Sequence, residues 1–379
     1  MSTHSPFSPS ASHRVLMCPP SLKLNAAEPD TPSPFAEEGT SAHELCAYLV
    51  EKALGRDVAD PTPSLKAYDE EMQTCAEEYR DFVIGEYEQA KLTCPDPQVL
   101  IEQHVDISHW VPGCGGIADC VILSDNTAEV IDYKHGLGVM VSAETEEFGG
   151  NPQLMCYALG VLDMYDGIYD ISTIKTVIFQ PRKENVSMYT LTREELLAWA
   201  EERLRPTAEM ALNGEGEFCA GEHCRFCKVK AKCRKRAEYN LTLAKYDFEM
   251  PQTLLDDEID VILTLADGFI EWLNDVKDFA LSEALSGKEY EHHKLVEGRS
   301  VRKYTSDDDV ARVVTDAGYD PYEKKVLGIT AMTKLLGKQK FDDLLKAYIT
   351  KPAGKPTLVS RSDKRPALRT EAKHDFKGE

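Results

Sequence analysis

Two apolar runs, Cys114 to Leu123 and Ala128 to Lys134, are separated by Ser124-Asp125-Asn126, a turn composition. A strand–turn–strand of this kind commits its neighbourhood to a sheet, and the flanking sequence supplies helices to cover it. Upstream, Leu45, Leu49, Ala53 and Leu54 recur at helical spacing, and so do Leu65, Tyr68, Met72, Cys75, Tyr79, Phe82 and Tyr87. Ser41 and Glu44 stand at capping-box spacing, which predicts that His43 lies in the first helical turn. Gln98 to Ile107 reads as a further strand. Downstream, Asn151 to Tyr165 reads as a helix, and Ile174 to Gln180 with Val186 to Leu191 as a strand pair. Thr192-Arg193-Glu194-Glu195 reads as the cap of a helix that runs to about Leu212. This order predicts an α/β or α+β core in which a small mixed sheet is flanked by helices.

A chain of 379 residues has room for two domains. Residues 1–12, rich in Ser and Pro, are expected to be disordered, and Pro19 to Pro34 to form a loop. Residues 13–239 are expected to hold the sheet domain. Residues 240–350 are expected to form a mainly helical accessory domain, led by the stripe Ile259, Ile262, Ala266, Phe269, Leu273, Val276 and Phe279, with short helices at 306–317, 322–336 and 338–349. Residues 351–379 read as a basic, proline-containing tail. The formal charge of −22 excludes a polybasic binder whose whole surface attracts phosphate, but is compatible with an enzyme carrying a local basic groove. No run approaches the ~20 apolar residues of a membrane span, and no apolar stretch follows a charged N-terminus. The expectation is a cytoplasmic protein whose eleven cysteines are thiols in a reducing compartment.

The hairpin carries chemistry. Gly115-Gly116-Ile117-Ala118-Asp119 enters its first strand, and Val130-Ile131-Asp132-Tyr133-Lys134 forms its second. Asp132 and Lys134 are two residues apart in a strand, so their side chains leave the same face. Across the hairpin Asp119 can approach Asp132. Two carboxylates meeting at an apolar sheet end repel each other unless a hard divalent cation neutralises them. A neighbouring lysine can then stabilise charge that develops on a phosphate. The bland alternative is a solvated Asp–Lys pair on a strand surface.

The sequence resembles the PD-(D/E)xK nuclease superfamily, in its RecB/AddB-type and CRISPR-associated exonuclease branch. The resemblance lies in the order of Gly39-Thr40-Ser41-Ala42-His43, G-x-x-D at Gly116 to Asp119, D-x-K at Asp132 to Lys134 and Q-x-x-x-Y at Gln153 to Tyr157. It implies a restriction-endonuclease-like core. It also implies that His43, Asp119, Asp132 and the Tyr133 carbonyl hold Mg²⁺ or Mn²⁺, that Lys134 is catalytic, and that Gln153 and Tyr157 line the site and position DNA. The acid at 132 is Asp where many members have Glu. The implied activity is a metal-dependent exonuclease acting on DNA ends or single strands. A DNA-binding adaptor without turnover and a site-specific endonuclease are the alternatives. The whole chain is similar to a phage-encoded RecB-like family of unknown function. That similarity implies a phage or prophage protein of replication or recombination in a bacterial host, with recombination or single-strand-binding proteins as partners.

Cys219, Cys224, Cys227 and Cys233 fall within fifteen residues, a metal signal in a reducing compartment. One reading is a local tetrahedral Zn²⁺ site made by these four. The other follows from the resemblance, whose iron–sulfur members begin with a Ser-rich segment ending in Cys-Pro, as Ser10 to Pro19 does here. It implies a 4Fe–4S cluster on Cys18, Cys224, Cys227 and Cys233, with Cys219 spare, stapling the start of the domain to its end. Cys46, Cys75, Cys94, Cys114, Cys120 and Cys156 read as small buried apolar residues. Arg225, Lys228, Lys230, Lys232, Arg234, Lys235 and Arg236 interleave the late cysteines with no acid from 224 to 236. That run reads as phosphate contact along a DNA channel, with a solvated helix face or counter-charge for an anionic thiolate cluster as the bland readings, and the two kinds are compatible.

Overall fold

The computed structural model describes residues 7–29, 34–242, 254–297, 304–322 and 325–350. Two short helices, α1 (Ser12–Met17) and α2 (Ser21–Ala26), precede two long ones, α3 (Pro34–Ala53) and α4 (Glu70–Ala90). Strands β1 (Gln98–Asp106), β2 (Gly115–Leu123) and β3 (Thr127–Tyr133) follow, then a small pair, β4 (Glu144–Thr145) and β5 (Gly149–Gly150). Helix α5 (Pro152–Tyr165) leads to β6 (Thr173–Gln180) and β7 (Asn185–Thr192). Helices α6 (Arg193–Trp199) and α7 (Arg205–Asn213), joined by a π-helical turn, precede α8 (Arg234–Leu241) and the long α9 (Asp256–Leu285).

The main sheet has the order β1-β2-β3-β6-β7. Only β3 and β6 are parallel, and α5 supplies the crossover that a parallel pair requires. Both faces of the sheet are covered, so β3 is buried along almost its whole length. On one face Val121, Leu123, Val130, Ile174 and Ile178 pack with α5, α6 and α7. On the other, Val99, Ile122, Ile131, Val177 and Phe179 pack with α3 and α4. The fold is α/β. Gly160 lets α5 lie close against β1, since a Cβ there would meet Val105 Cβ at 2.7 Å. Asp69 caps α4 by accepting from the Met72 amide, Asn151 caps α5, and the expected Thr192–Glu195 capping box opens α6.

Four local expectations are corrected. Phe7 is buried in the core and Pro9–Ala11 form a helical turn, so the disorder expected of 1–12 does not extend to Phe7–Ser12. The segment after Pro19 is not wholly loop, because α2 forms within it. Helix α3 already begins at Pro34, so Ser41 and Glu44 are not its cap and His43 lies inside it. The Ser41 hydroxyl instead accepts from the Ala67 amide. The helix expected at 322–336 is also shorter, spanning Ile329–Leu336.

The chain divides into two compact units, Met1–Ser282 and Glu283–Glu379. The boundary expected at residue 240 falls inside the first. The second unit holds α10 (Asp307–Asp316), α11 (Ile329–Leu336) and α12 (Lys338–Leu345), with Phe341 buried. The tail from 351 and the basic segments at 298–303 and 360–366 lie outside the described residues.

Candidate metal centre and thiol site

Three acids share one rung of the sheet. The β1–β2 ladder pairs Ile101 with Cys120 and Gln103 with Ala118, which sets Glu102 opposite Asp119. The β2–β3 ladder ends at Cys120 and Ile131, so Asp119 and Asp132 face each other at the next position. Neither pair is joined in a ladder. Glu102 instead takes φ +49°, a left-handed conformation costly for a residue with a side chain. The Tyr133 amide turns to Asp119 Oδ2 at 2.8 Å, holding that carboxylate across the opened end of the hairpin.

Helix α3 brings His43 to this rung. Its Nδ1 lies 3.3 Å from Asp119 Oδ1, and its ring stands edge-on to Tyr133 at 5.5 Å. Ligand atoms of His43, Glu102 and Asp119 lie within 4.8 Å of one another. An imidazole nitrogen and two carboxylates suit Mg²⁺ or Mn²⁺, the nitrogen favouring the latter. Glu102 is exposed at the surface, yet desolvation of its carboxyl within the acid cluster pushes it up to about 7, with Asp119 adding to the shift and His43 opposing it. Burial works against a charged His43, but hydrogen bonding and attraction to Asp119 outweigh it and raise its pKa.

Asp132 is deeper, with 2% of its surface exposed. Its Oδ2 lies 2.7 Å from Lys134 Nζ, a close ion pair. Burial raises the Asp132 pKa against the opposing pull of Lys134. Lys134 itself stays charged, because Asp132 and Asp119 outweigh the cost of burying its ammonium. From the start of α5, Gln153 Nε2 donates to Asp132 Oδ1 and to the Tyr157 hydroxyl, each at 3.1 Å. Its Oε1 accepts from Lys134 Nζ at 3.3 Å. One amide therefore fixes acid, amine and phenol together. The structure thus brings His43, Asp119, Asp132, Lys134, Gln153 and Tyr157 into one constellation. It adds Glu102, which the motif reading missed.

Residues 4–366 match the family described as "Protein of unknown function (DUF2800)". The chain belongs to the DUF2800 family. A solved structure titled "Crystal structure of SSO0001" is similar at 14% identity over 52% of this chain and 98% of that one, with a TM-score of 0.23.

The DUF2800 chain has a second gathering of chemistry. Cys18, at the end of α1, lines one cavity with Cys224, Cys227 and Cys233, although 206 residues separate the first two. Arg14, Ser21, His223 and Lys230 complete much of its wall. Cys219 also lines it but is exposed, whereas Cys46, Cys75, Cys94, Cys114, Cys120 and Cys156 are buried. Among the described residues no three of these sulfurs come within 4.8 Å of one another. A zinc ion at about 2.3 Å from each sulfur would bring them to about 3.8 Å.

The basic run of this DUF2800 lobe is largely spent on internal ion pairs. Arg225 makes a two-pronged contact with Glu271, both bonds 3.0 Å. Lys230 and Arg236 converge on Asp275, and Lys232 on Glu28. The acids come from α9 and from Glu28 just beyond α2, far from the run in sequence, so the segment is not the open positive patch that its local composition implies.

Proposed function

We propose that this protein is a metal-dependent DNA nuclease of the PD-(D/E)xK type, acting as an exonuclease on DNA ends or single strands. The observation that carries the reading is the shared rung of Glu102, Asp119 and Asp132, met by His43 from one helix and by the Lys134–Gln153 pair from the sheet and a second helix. His43, Glu102 and Asp119, with Asp132 and the Tyr133 carbonyl beside them, would hold Mg²⁺ or Mn²⁺. Such a cation, when bound, supplies Lewis-acid activation of water and neutralises phosphate charge. Lys134 keeps its proton and presents a cation where a scissile phosphate gains negative charge. Gln153 holds Lys134 and Asp132 at fixed separation, and Tyr157 holds Gln153.

The thiols fit a soft metal group. Cys18, Cys224, Cys227 and Cys233 line one cavity, which supports the iron–sulfur reading that the sequence resemblance implies, with Zn²⁺ as the alternative. The eleven free cysteines fit a reducing cytoplasm, in line with the phage or prophage setting that the sequence resemblance implies. No described helix is long and apolar enough to cross a membrane.

The test is degradation of end-labelled single-stranded and duplex DNA by the purified full chain with Mn²⁺ or Mg²⁺. Lys134→Ala and Asp132→Asn are each expected to reduce the rate by about 100-fold or more while leaving the folded protein intact. Undiminished activity in both variants overturns the assignment. Binding without cleavage by the wild type across divalent metals favours the adaptor, and discrete fragments from closed circles favour an endonuclease.

A further inference from the structure

Asn25, the penultimate residue of α2, is buried and reaches across to the thiol lobe. Its Nδ2 donates to the Ser21 carbonyl at 2.7 Å and to Cys227 Sγ at 3.2 Å. Its Oδ1 accepts from the Lys228 amide at 2.8 Å. The orientation of the side-chain amide is dictated by these partners. Flipped, it would set a carbonyl against sulfur and an NH₂ group against the Lys228 N–H, losing both contacts. Both protons of the NH₂ group are therefore committed, one of them to sulfur.

A neutral thiol is a weak acceptor, whereas a thiolate takes a charge-assisted bond. Metal ligation would make Cys227 a thiolate, and the Asn25 amide proton aimed at its Sγ would then become a charge-assisted donor. Arg14 supplies a second positive element. It lines the same cavity and donates to the Ser21 carbonyl at 3.0 Å and the Ser21 hydroxyl at 2.8 Å. Its guanidinium is thereby fixed beside Cys18 and Cys227 by the backbone that also anchors Asn25.

We propose that Asn25 is a positioning residue of the thiol site, holding Cys227 as a hydrogen-bonded thiolate ligand of the iron–sulfur group and making that group easier to reduce and slower to lose. The inference rests on the thiol-site reading above. Hydrogen bonds to ligand sulfur are among the determinants of cluster potential, and outer partners of metal ligands commonly change affinity 10- to 100-fold.

The experiment uses the full chain purified without oxygen, with iron and zinc counted per chain. Visible absorption is followed during reductive titration and during challenge with a chelator. Asn25→Asp keeps the size and the acceptor for Lys228 but cannot donate to sulfur, and Asn25→Ala removes the group without adding charge. Both are expected to lose metal to the chelator at least tenfold faster than wild type. Asn25→Asp is expected to move the potential negative by a tenfold change in the reduction equilibrium, about 59 mV for a one-electron couple. Variants that fold, bind metal and match wild type in both readouts overturn the role of Asn25. A wild-type chain with neither iron nor zinc overturns the thiol-site reading and this proposal with it. If zinc is found instead, the iron–sulfur reading falls and the chelator rates decide the role of Asn25 by the same comparison.

Discussion

Glu102 concentrates the conflict in the acid site. Its left-handed backbone costs on the order of 1–3 kcal/mol, and Asp119 stands opposite it on the next strand. Like charges at such a position are destabilising unless something positive lies between them. Replacing Glu102 with Gln removes a proposed ligand and also removes the repulsion. Glu102→Gln is therefore expected to weaken Mn²⁺ binding at least tenfold by calorimetric titration, while the thermal midpoint of the metal-free protein stays the same or rises. Unchanged affinity would remove Glu102 from the ligand set. The other members of the site were legible because each sits in a short motif. Glu102 does not, and its signal lay in register. Counting rungs back from the Ile107–Cys114 connection, where the Ile107 amide meets the Cys114 carbonyl at 3.0 Å, sets residue 102 opposite 119. Reading strands one at a time does not reveal that coincidence, whereas pairing them does.

Between elements, the sheet is tied to α4 by a partly buried ion triad. Lys175 on β6 lies 2.9 Å from Glu129 on β3 and 2.6 Å from Glu86 on α4. One lysine serves two acids, and burial lifts the Glu129 carboxyl to about 7, opposed by Lys175 and reinforced by Glu86. The folded protein thus holds a proton on Glu129 at pH values where the unfolded chain, with its ordinary value of 4.5, has released it. Stability from this group is complete below pH 4.5 and is lost as pH rises through about 7. Wild type is expected to lose about 3 kcal/mol relative to Glu129→Gln across that interval, read from denaturant unfolding at pH 4.5 and pH 8. Parallel pH profiles would show that the carboxyl titrates normally. The elements themselves were largely readable, because periodicity switches cleanly from helix to strand at Gln98 and back at Asn151. The start of α3 was not, since a capping-box spacing at Ser41 masked a helix already running from Pro34.

For the whole first unit, the thiol site joins the chain's opening helices to the lobe that follows α7. Ligation there, as proposed, would close a loop of about two hundred residues, which chain-entropy arguments value at about 5 kcal/mol. Removing the metal with a chelator, or replacing Cys18 with Ser, is expected to lower the thermal midpoint of the first unit by several degrees in calorimetry. Identical melting curves before and after chelation would show that no such tie is made. At this scale composition misleads, because four of the seven bases from 224 to 236 pair with Glu28, Glu271 and Asp275, acids that are distant in sequence and adjacent in space. The separation of Cys18 from its three late partners also has a consequence for biosynthesis. A ribosome that has made every strand of the main sheet has not yet delivered Cys224. On the proposed reading, the residues of the acidic rung would all be present while Cys18 still lacked its three proposed partner thiols, so metal loading there would follow synthesis of the last strand.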